Sequence, residues 1–269
     1  MAEHDEVRRL AREARLELSR EAERGRGDLW AIAAGEKVSP RPRRAADPAA
    51  PAVSAASATA AIGVDTSDLP PPVVSPPGDT LEQIAAEVRG CTKCGLHETR
   101  TQAVPGVGRG TTGIVFVGEA PGAEEDRRGE PFVGRSGDLL TKIIAAMDEK
   151  QLIPGVSVSR EAAFIGNVLK CRPPENRNPM PQEIETCSPY LRRQLAVLKP
   201  RVIVCLGKFA AELLVGAKGT IGGMRGTVYR YGDSKLIVTY HPAACLRNPA
   251  YKRPVWEDMQ LLAREYVSP

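Results

Sequence analysis

An α/β fold, a mainly parallel sheet covered by helices on both faces, is what the sequence predicts, and three observations carry that expectation. Three short runs rich in β-branched and aromatic side chains, at 113–117, 163–169 and 201–206, are each followed by a segment whose apolar residues repeat at helical spacing. The first run is stopped by Gly118-Glu119-Ala120-Pro121-Gly122, which turns the chain and leaves the Glu119 carboxylate at the strand's carboxyl edge. In open sheets of this kind ligands bind beside that edge. The third observation is size: 269 residues suffice for one substantial domain plus extensions.

Taken in order, residues 1–39 form a charged extension. Val7, Leu10, Ala11, Ala14 and Leu18 fall on one face of a helix over 1–25 whose other positions are mostly Arg and Glu. The plain reading is a solvated helix with a weak docking stripe; a partner-binding helix is the alternative. Residues 40–78 are rich in Ala and Pro and nearly free of large apolar side chains, so they are expected to be a disordered linker. The folded domain is expected to span 79–269. Thr80 and Gln83 have capping-box spacing, Leu81, Ile84, Ala85 and Val88 make an apolar face, and Gly90 stops the helix. After the first strand, Ser136 is placed to cap a helix carrying Leu139, Leu140, Ile143, Ile144 and Met147. The second strand ends in Lys170-Cys171-Arg172-Pro173-Pro174. Pro181 suits the first turn of a helix carrying Ile184, Cys187, Leu191 and Leu195. The third strand leads into a helix opened by Gly207-Lys208. Segments 227–231 and 235–240 form a hairpin around Gly232-Asp233, its second arm runs into His241-Pro242, and a helix over 255–266 closes the chain. Glu119, Lys170 and His241 thus lie just past strand carboxyl ends, which converge in a parallel sheet.

Net charge is +4 with pI about 8.7, which permits nucleic-acid binding without arguing for it. No apolar run is long enough to span a membrane, and the amino terminus lacks the apolar stretch of a signal peptide, so a cytoplasmic protein is expected; a monomer is expected as well. In that compartment the six cysteines read as metal ligands, core residues or reactive thiols. Cys91 and Cys94 are C-x2-C; Cys171 and Cys187 are C-x15-C. Four thiolates suit Zn²⁺ or an iron–sulfur cluster, and spacing alone does not choose between them. Cys205, mid-strand, reads as core; Cys245 is a packed or exposed thiol outside the ligand set. Phe132, in Glu130-Pro131-Phe132-Val133-Gly134, either packs inward or offers its face to a flat ligand.

In combination, Cys91-x2-Cys94, Gly118-Glu119-Ala120-Pro121-Gly122, Glu130-Pro131-Phe132-Val133-Gly134, Asn167-Val168-Leu169-Lys170-Cys171-Arg172-Pro173-Pro174, Cys187 and His241-Pro242 with Leu246-Arg247 resemble the iron–sulfur (family 4) uracil-DNA glycosylases, over 81–266. The resemblance implies a three-layer α/β/α sandwich around a mainly parallel four-stranded sheet. It implies a [4Fe–4S] cluster on Cys91, Cys94, Cys171 and Cys187, uracil-containing DNA as partner, and hydrolysis of the uracil N-glycosidic bond to leave an abasic site. Such chemistry needs the base out of the stack. Phe132 then supplies an aromatic face and the Asn167 amide reads O4 and N3–H together. His241 donates to the O2 that gains charge as the base leaves, and Glu119 orients or deprotonates the attacking water. By the same resemblance backbone near Gly118 adds a hydrogen bond, Glu125 (with Glu124 the alternative) closes off the base's 5-position against thymine, and Leu246 and Arg247 are the wedge and a phosphate contact. The chain departs from related patterns at Ala120, where cluster-free relatives have Asp, at Ala243, where Ser is frequent, and at Cys245. It also lacks the basic His-containing insert of a covalently binding relative. Taken singly, Asn167 reads as a loop hydrogen-bonder, Glu119 as a cap and His241 as a loop residue. Two other functions compete: a cluster-stabilised nucleic-acid-binding module without catalysis, and a different hydrolase on the same fold.

Overall fold

The computed structural model describes residues 75–269. The expected helix over 1–25 lies outside the described residues, as does all of the expected linker but 75–78. At Ser75 the chain is already engaged: its hydroxyl donates to the Asp79 carboxylate at 2.5 Å, and Asp79 N–H donates to Pro76 O. Arg193 then grips both Asp79 and Glu87 with its guanidinium, holding the Asp79 carboxyl at about 2.

Nine helices are described: α1 (Leu81–Arg89), α2 (Leu96–Thr99), α3 (Ala123–Arg128), α4 (Arg135–Glu149), α5 (Pro181–Leu198), α6 (Lys208–Val215), α7 (Ile221–Met224), α8 (Pro242–Arg247) and α9 (Lys252–Val267). The strands are β1 (Ile114–Gly118), β2 (Phe164–Asn167), β3 (Val202–Leu206), β4 (Val228–Tyr231) and β5 (Ser234–Thr239). They form one sheet in the order β2-β1-β3-β5-β4, parallel except for the last pair. The expected four-stranded sheet is therefore corrected to five. A turn as tight as Gly232-Asp233 pairs Tyr231 with Ser234 at once, so β4 joins the sheet as its antiparallel edge.

β1, β3 and β5 are buried along their whole length; β1 and β3 are the continuous apolar runs expected of a doubly covered sheet, while β5 also buries Ser234, Lys235 and Thr239. Alternate residues Val115, Val117, Ile203, Cys205, Leu236 and Val238 pack in one cluster with side chains of α1, α5 and α6. The intervening residues Ile114, Phe116, Val202, Val204 and Ile237 point to the opposite face, where α9 packs on β3 and β5. The capping box at Thr80 and Gln83 is formed. Ser136 is not a cap: Gly134 takes that position and the helix begins at Arg135. No described helix is long and apolar enough to cross a membrane.

Candidate active site

The order of the strands places the switch in chain direction at β1, with β2 on one side and β3 on the other. Gly118 and Asn167, the last residues of β1 and β2, are register partners. Pairing continues past the strand ends, since Val168 and Leu169 N–H donate to the carbonyls of Gly118 and Glu119. Gly118 must be glycine for steric reasons. A Cβ there would lie 2.4 Å from Asn167 Oδ1 and 2.6 Å from the Phe132 ring. The two side chains converge on the space a methyl group would fill.

Asn167 is 2 % exposed, and its Oδ1 has no hydrogen-bond partner in the protein. An unsatisfied buried amide oxygen costs on the order of 1–3 kcal/mol, which a ligand N–H returns. The plain loop-bonding reading of this residue does not account for that oxygen.

Phe132 is buried and its backbone adopts φ +53°, the left-handed region that a bulky residue avoids. Three contacts enforce it. Glu125 Oε1 accepts from Val133 and Gly134 N–H at 3.1 and 3.2 Å. Arg160 donates to Pro131 O at 3.0 Å. Gly137, in the first turn of α4, has no Cβ and so lets the Phe132 carbonyl approach, where a Cβ would sit 1.8 Å away. Glu125, expected against the base, is thus seen binding the backbone of the Phe132 loop. Glu124 instead pairs with Arg127 and Arg128 at the surface.

The Phe132 and His241 rings stack with centroids 5.5 Å apart and planes 29° apart. His241 is the N-cap of α8, and its Nδ1 accepts the Ala243 N–H at 3.1 Å. A ring nitrogen that accepts carries no proton, so the neutral imidazole holds its hydrogen on Nε2 and presents a donor there. Burial, with Arg247 nearby, pushes the imidazole pKa down to about 4. Glu119 is half-buried, and burial raises its carboxyl above the usual range. Leu246 and Arg247 lie on the short helix α8; Leu246 is 39 % exposed and Arg247 is exposed. Arg177, in the loop before α5, is committed to a two-pronged bond with Glu183.

The four cysteines Cys91, Cys94, Cys171 and Cys187 line a single cavity with Lys93, His97, Arg100, Lys170 and Tyr190. Cys91 and Cys94 follow α1, Cys171 follows β2 and Cys187 sits in α5. Arg100 Nη1 donates to Cys171 Sγ at 3.1 Å and Lys170 N–H donates to Cys187 Sγ at 3.2 Å. Burial pushes the Cys187 thiol up to about 11 and that of Cys171 upward. Sulfur-only donors, N–H groups aimed at sulfur and cationic neighbours fit an anionic iron–sulfur cluster. Among the described residues no three Cys, His, Asp or Glu side chains close on a point that would hold one ion. Cys205 is core, as expected, and Cys245 is a packed thiol, 1 % exposed. One pair escaped the sequence reading: Lys170, 1 % exposed, and Gln194, 2 % exposed, are hydrogen-bonded at 2.7 Å. No motif marks Gln194, and the two residues stand on different elements.

Comparison with known proteins places residues 105–260 within the family described as the uracil DNA glycosylase superfamily. The chain is 46 % identical over 190 residues to a type-4 uracil-DNA glycosylase of Archaeoglobus fulgidus, covering 68 % of this chain and 91 % of that protein. It is 42 % identical over 186 residues to the type-4 uracil-DNA glycosylase of Thermotoga maritima, covering 68 % and 92 %. A type-5 uracil-DNA glycosylase of Pyrobaculum aerophilum is more distant, at 31 % identity over 138 residues, 48 % of this chain and 61 % of that protein.

Proposed function

This chain belongs to the uracil DNA glycosylase superfamily, and from that membership we infer that it excises uracil from DNA, hydrolysing the N-glycosidic bond and leaving an abasic site. The observation that carries the reading at the site is the unpartnered, buried Oδ1 of Asn167, beside Phe132 and within one cluster with His241. Uracil N3–H is a donor to that oxygen; cytosine N3 is an acceptor and is refused. The Asn167 NH₂ meets O4. Phe132 stacks on the flipped ring. Neutral His241, with its hydrogen on Nε2, donates to O2 as negative charge collects on the departing base. Glu119 orients the water that attacks the sugar C1′. Glu125 acts here by fixing the loop that carries Phe132, and Leu246 and Arg247 meet the duplex from α8 as wedge and phosphate contact. A gel assay on a uracil-containing oligonucleotide, followed by alkali, tests the reading. Strand scission only in the uracil strand supports it, and an intact strand bound by the protein leaves the non-catalytic binding module in its place.

Cys91, Cys94, Cys171 and Cys187 would hold a [4Fe–4S] cluster, which when bound supplies a covalent tie among the end of α1, the exit of β2 and helix α5. Anaerobically purified protein should be brown and contain about four irons per chain. A colourless protein with one stoichiometric zinc would sink the assignment. Cys171→Ala is expected to lower stability and soluble yield more than it changes any chemical step.

The catalytic unit is assigned to 79–269, and residues 1–39 to a charged extension outside it. Because Ser75 already bonds Asp79, a chain starting at Ser75 should excise uracil within a few fold of the full protein. Loss of excision by a soluble, iron-loaded truncation would make the preceding residues part of the catalytic unit.

Glu119 also sets a pH dependence. Its working form is the carboxylate, and burial raises its pKa, so the single-turnover rate should fall as pH drops through a value above the usual carboxylate range. Glu119→Gln should be slow and flat across that window. A wild-type limb surviving in the variant would assign the limb to another group.

A further inference from the structure

Lys170 is a buried ammonium whose two acceptors are both neutral oxygens. Its Nζ donates to the Asn167 main-chain carbonyl at 3.0 Å and to Gln194 Oε1 at 2.7 Å. Gln194 reaches across from α5 and donates its own Nε2 to Pro105 O at 2.8 Å, which anchors it on the loop before β1. The Lys170 carbonyl accepts from Val104 N–H at 2.7 Å, closing the node on the same loop. A buried cation without a carboxylate is unfavourable, and an apolar side chain would fill the volume more stably. Packing therefore does not explain a lysine here; the four-cysteine cavity that it lines accounts for the charge, and its two hydrogen bonds account for where Nζ is held.

What the lysine holds is the peptide that follows Asn167. The peptide before it lies in the paired part of β2, where Gly166 and Asn167 stand opposite Val117 and Gly118. The peptide after it is held at both ends, its Val168 N–H by Gly118 O and its Asn167 carbonyl by Lys170 Nζ. With both flanking peptides held, only the two side-chain torsions of Asn167 stay free, and Gly118 and Phe132 crowd those. Base reading by an amide depends on its plane meeting the base edge within about 0.5 Å and 10–20°.

We propose that Lys170 and Gln194 are positioning residues for base selection, fixing the Asn167 main chain and with it the angle at which the amide meets the flipped base. The proposal rests on Asn167 reading the base, as assigned above. Lys170 also lines the four-cysteine cavity, so its own replacement risks the cluster; Gln194, one hydrogen bond further out, carries the test.

The experiment is a double-mutant cycle of wild type, Gln194→Met, Asn167→Ala and the double variant, read as single-turnover excision at saturating enzyme on a uracil duplex. Iron content, melting temperature and affinity for an abasic-site duplex are measured on each. Gln194→Met is expected to slow excision about ten- to a hundredfold, with iron content and abasic-duplex affinity unchanged. The double variant should be no slower than Asn167→Ala alone within about twofold, because a brace has no effect once the braced amide is gone. A wild-type rate for Gln194→Met, losses that multiply in the double variant, or a rate loss that tracks lost iron would each overturn the proposal. A wild-type rate for Asn167→Ala would instead remove the base-reading assignment itself, and the brace with it.

Discussion

Asn167→Asp is expected to slow single-turnover excision of uracil by on the order of a hundredfold to several thousandfold, equivalent to roughly 3–5 kcal/mol of transition-state binding. The amide Oδ1 sits buried without a partner in the protein; on the proposed reading it accepts from N3–H while the NH₂ donates to O4. A carboxylate removes the donor and sets a negative oxygen against O4. In a site this buried the carboxyl is pushed toward its neutral form. The protonated acid then donates to cytosine N3 and accepts from its amino group, so preference should shift toward cytosine as well as fall for uracil. Rates on matched uracil, cytosine and thymine oligonucleotides decide it. Wild-type excision of uracil by the variant would show that another group reads the base.

Replacing His241 should have an effect of similar size on a different quantity. Loss of a donor aimed at developing charge lowers the chemical step about a hundred- to a thousandfold. Because the imidazole is held at about 4, it is neutral at pH 7 and acts through Nε2–H, so His241→Ala slows uracil excision without admitting cytosine. The substitution also removes the acceptor that caps α8 through Ala243 N–H, and α8 carries Leu246 and Arg247. His241→Asn restores a capping oxygen and separates the two roles. Excision should stay low in both variants, while affinity for an abasic duplex should be at wild type in His241→Asn. A His241→Ala rate within about threefold of wild type would rule out the oxyanion role.

Much of this arrangement is legible in the residues. β1 and β3 announce themselves because a strand buried on both faces is a continuous apolar run, and Glu119, Asn167 and His241 stand at or just past the ends of β1, β2 and β5. The C-x2-C pair likewise points to convergent thiols. What is not legible has physical causes. Helices α3, α7 and α8 are four to six residues long, too short to show a period. Edge strand β4 is legible as the first arm of a hairpin, but its alternation of buried and exposed residues does not show that it extends the sheet to five strands. The Glu125 carboxylate caps backbone N–H groups eight and nine residues onward, a contact that no local pattern encodes. Lys170 and Gln194 meet because the segment after β2 is bonded to α5, and although Lys170 is marked by its place past a strand end, nothing in the sequence marks Gln194 as its partner.

The left-handed backbone at Phe132 has a consequence measured in time. A glycosylase meets an enormous number of normal bases for each uracil, and every encounter offers a base to the pocket only briefly. Were the Phe132 loop to order on each visit, that rearrangement would set the pace of inspection. With Glu125, Arg160 and the bare α4 turn at Gly137 holding the ring in place, its shape is settled once, when the chain folds. On the proposed reading of Phe132, rejecting a wrong base then requires no ordering of the loop.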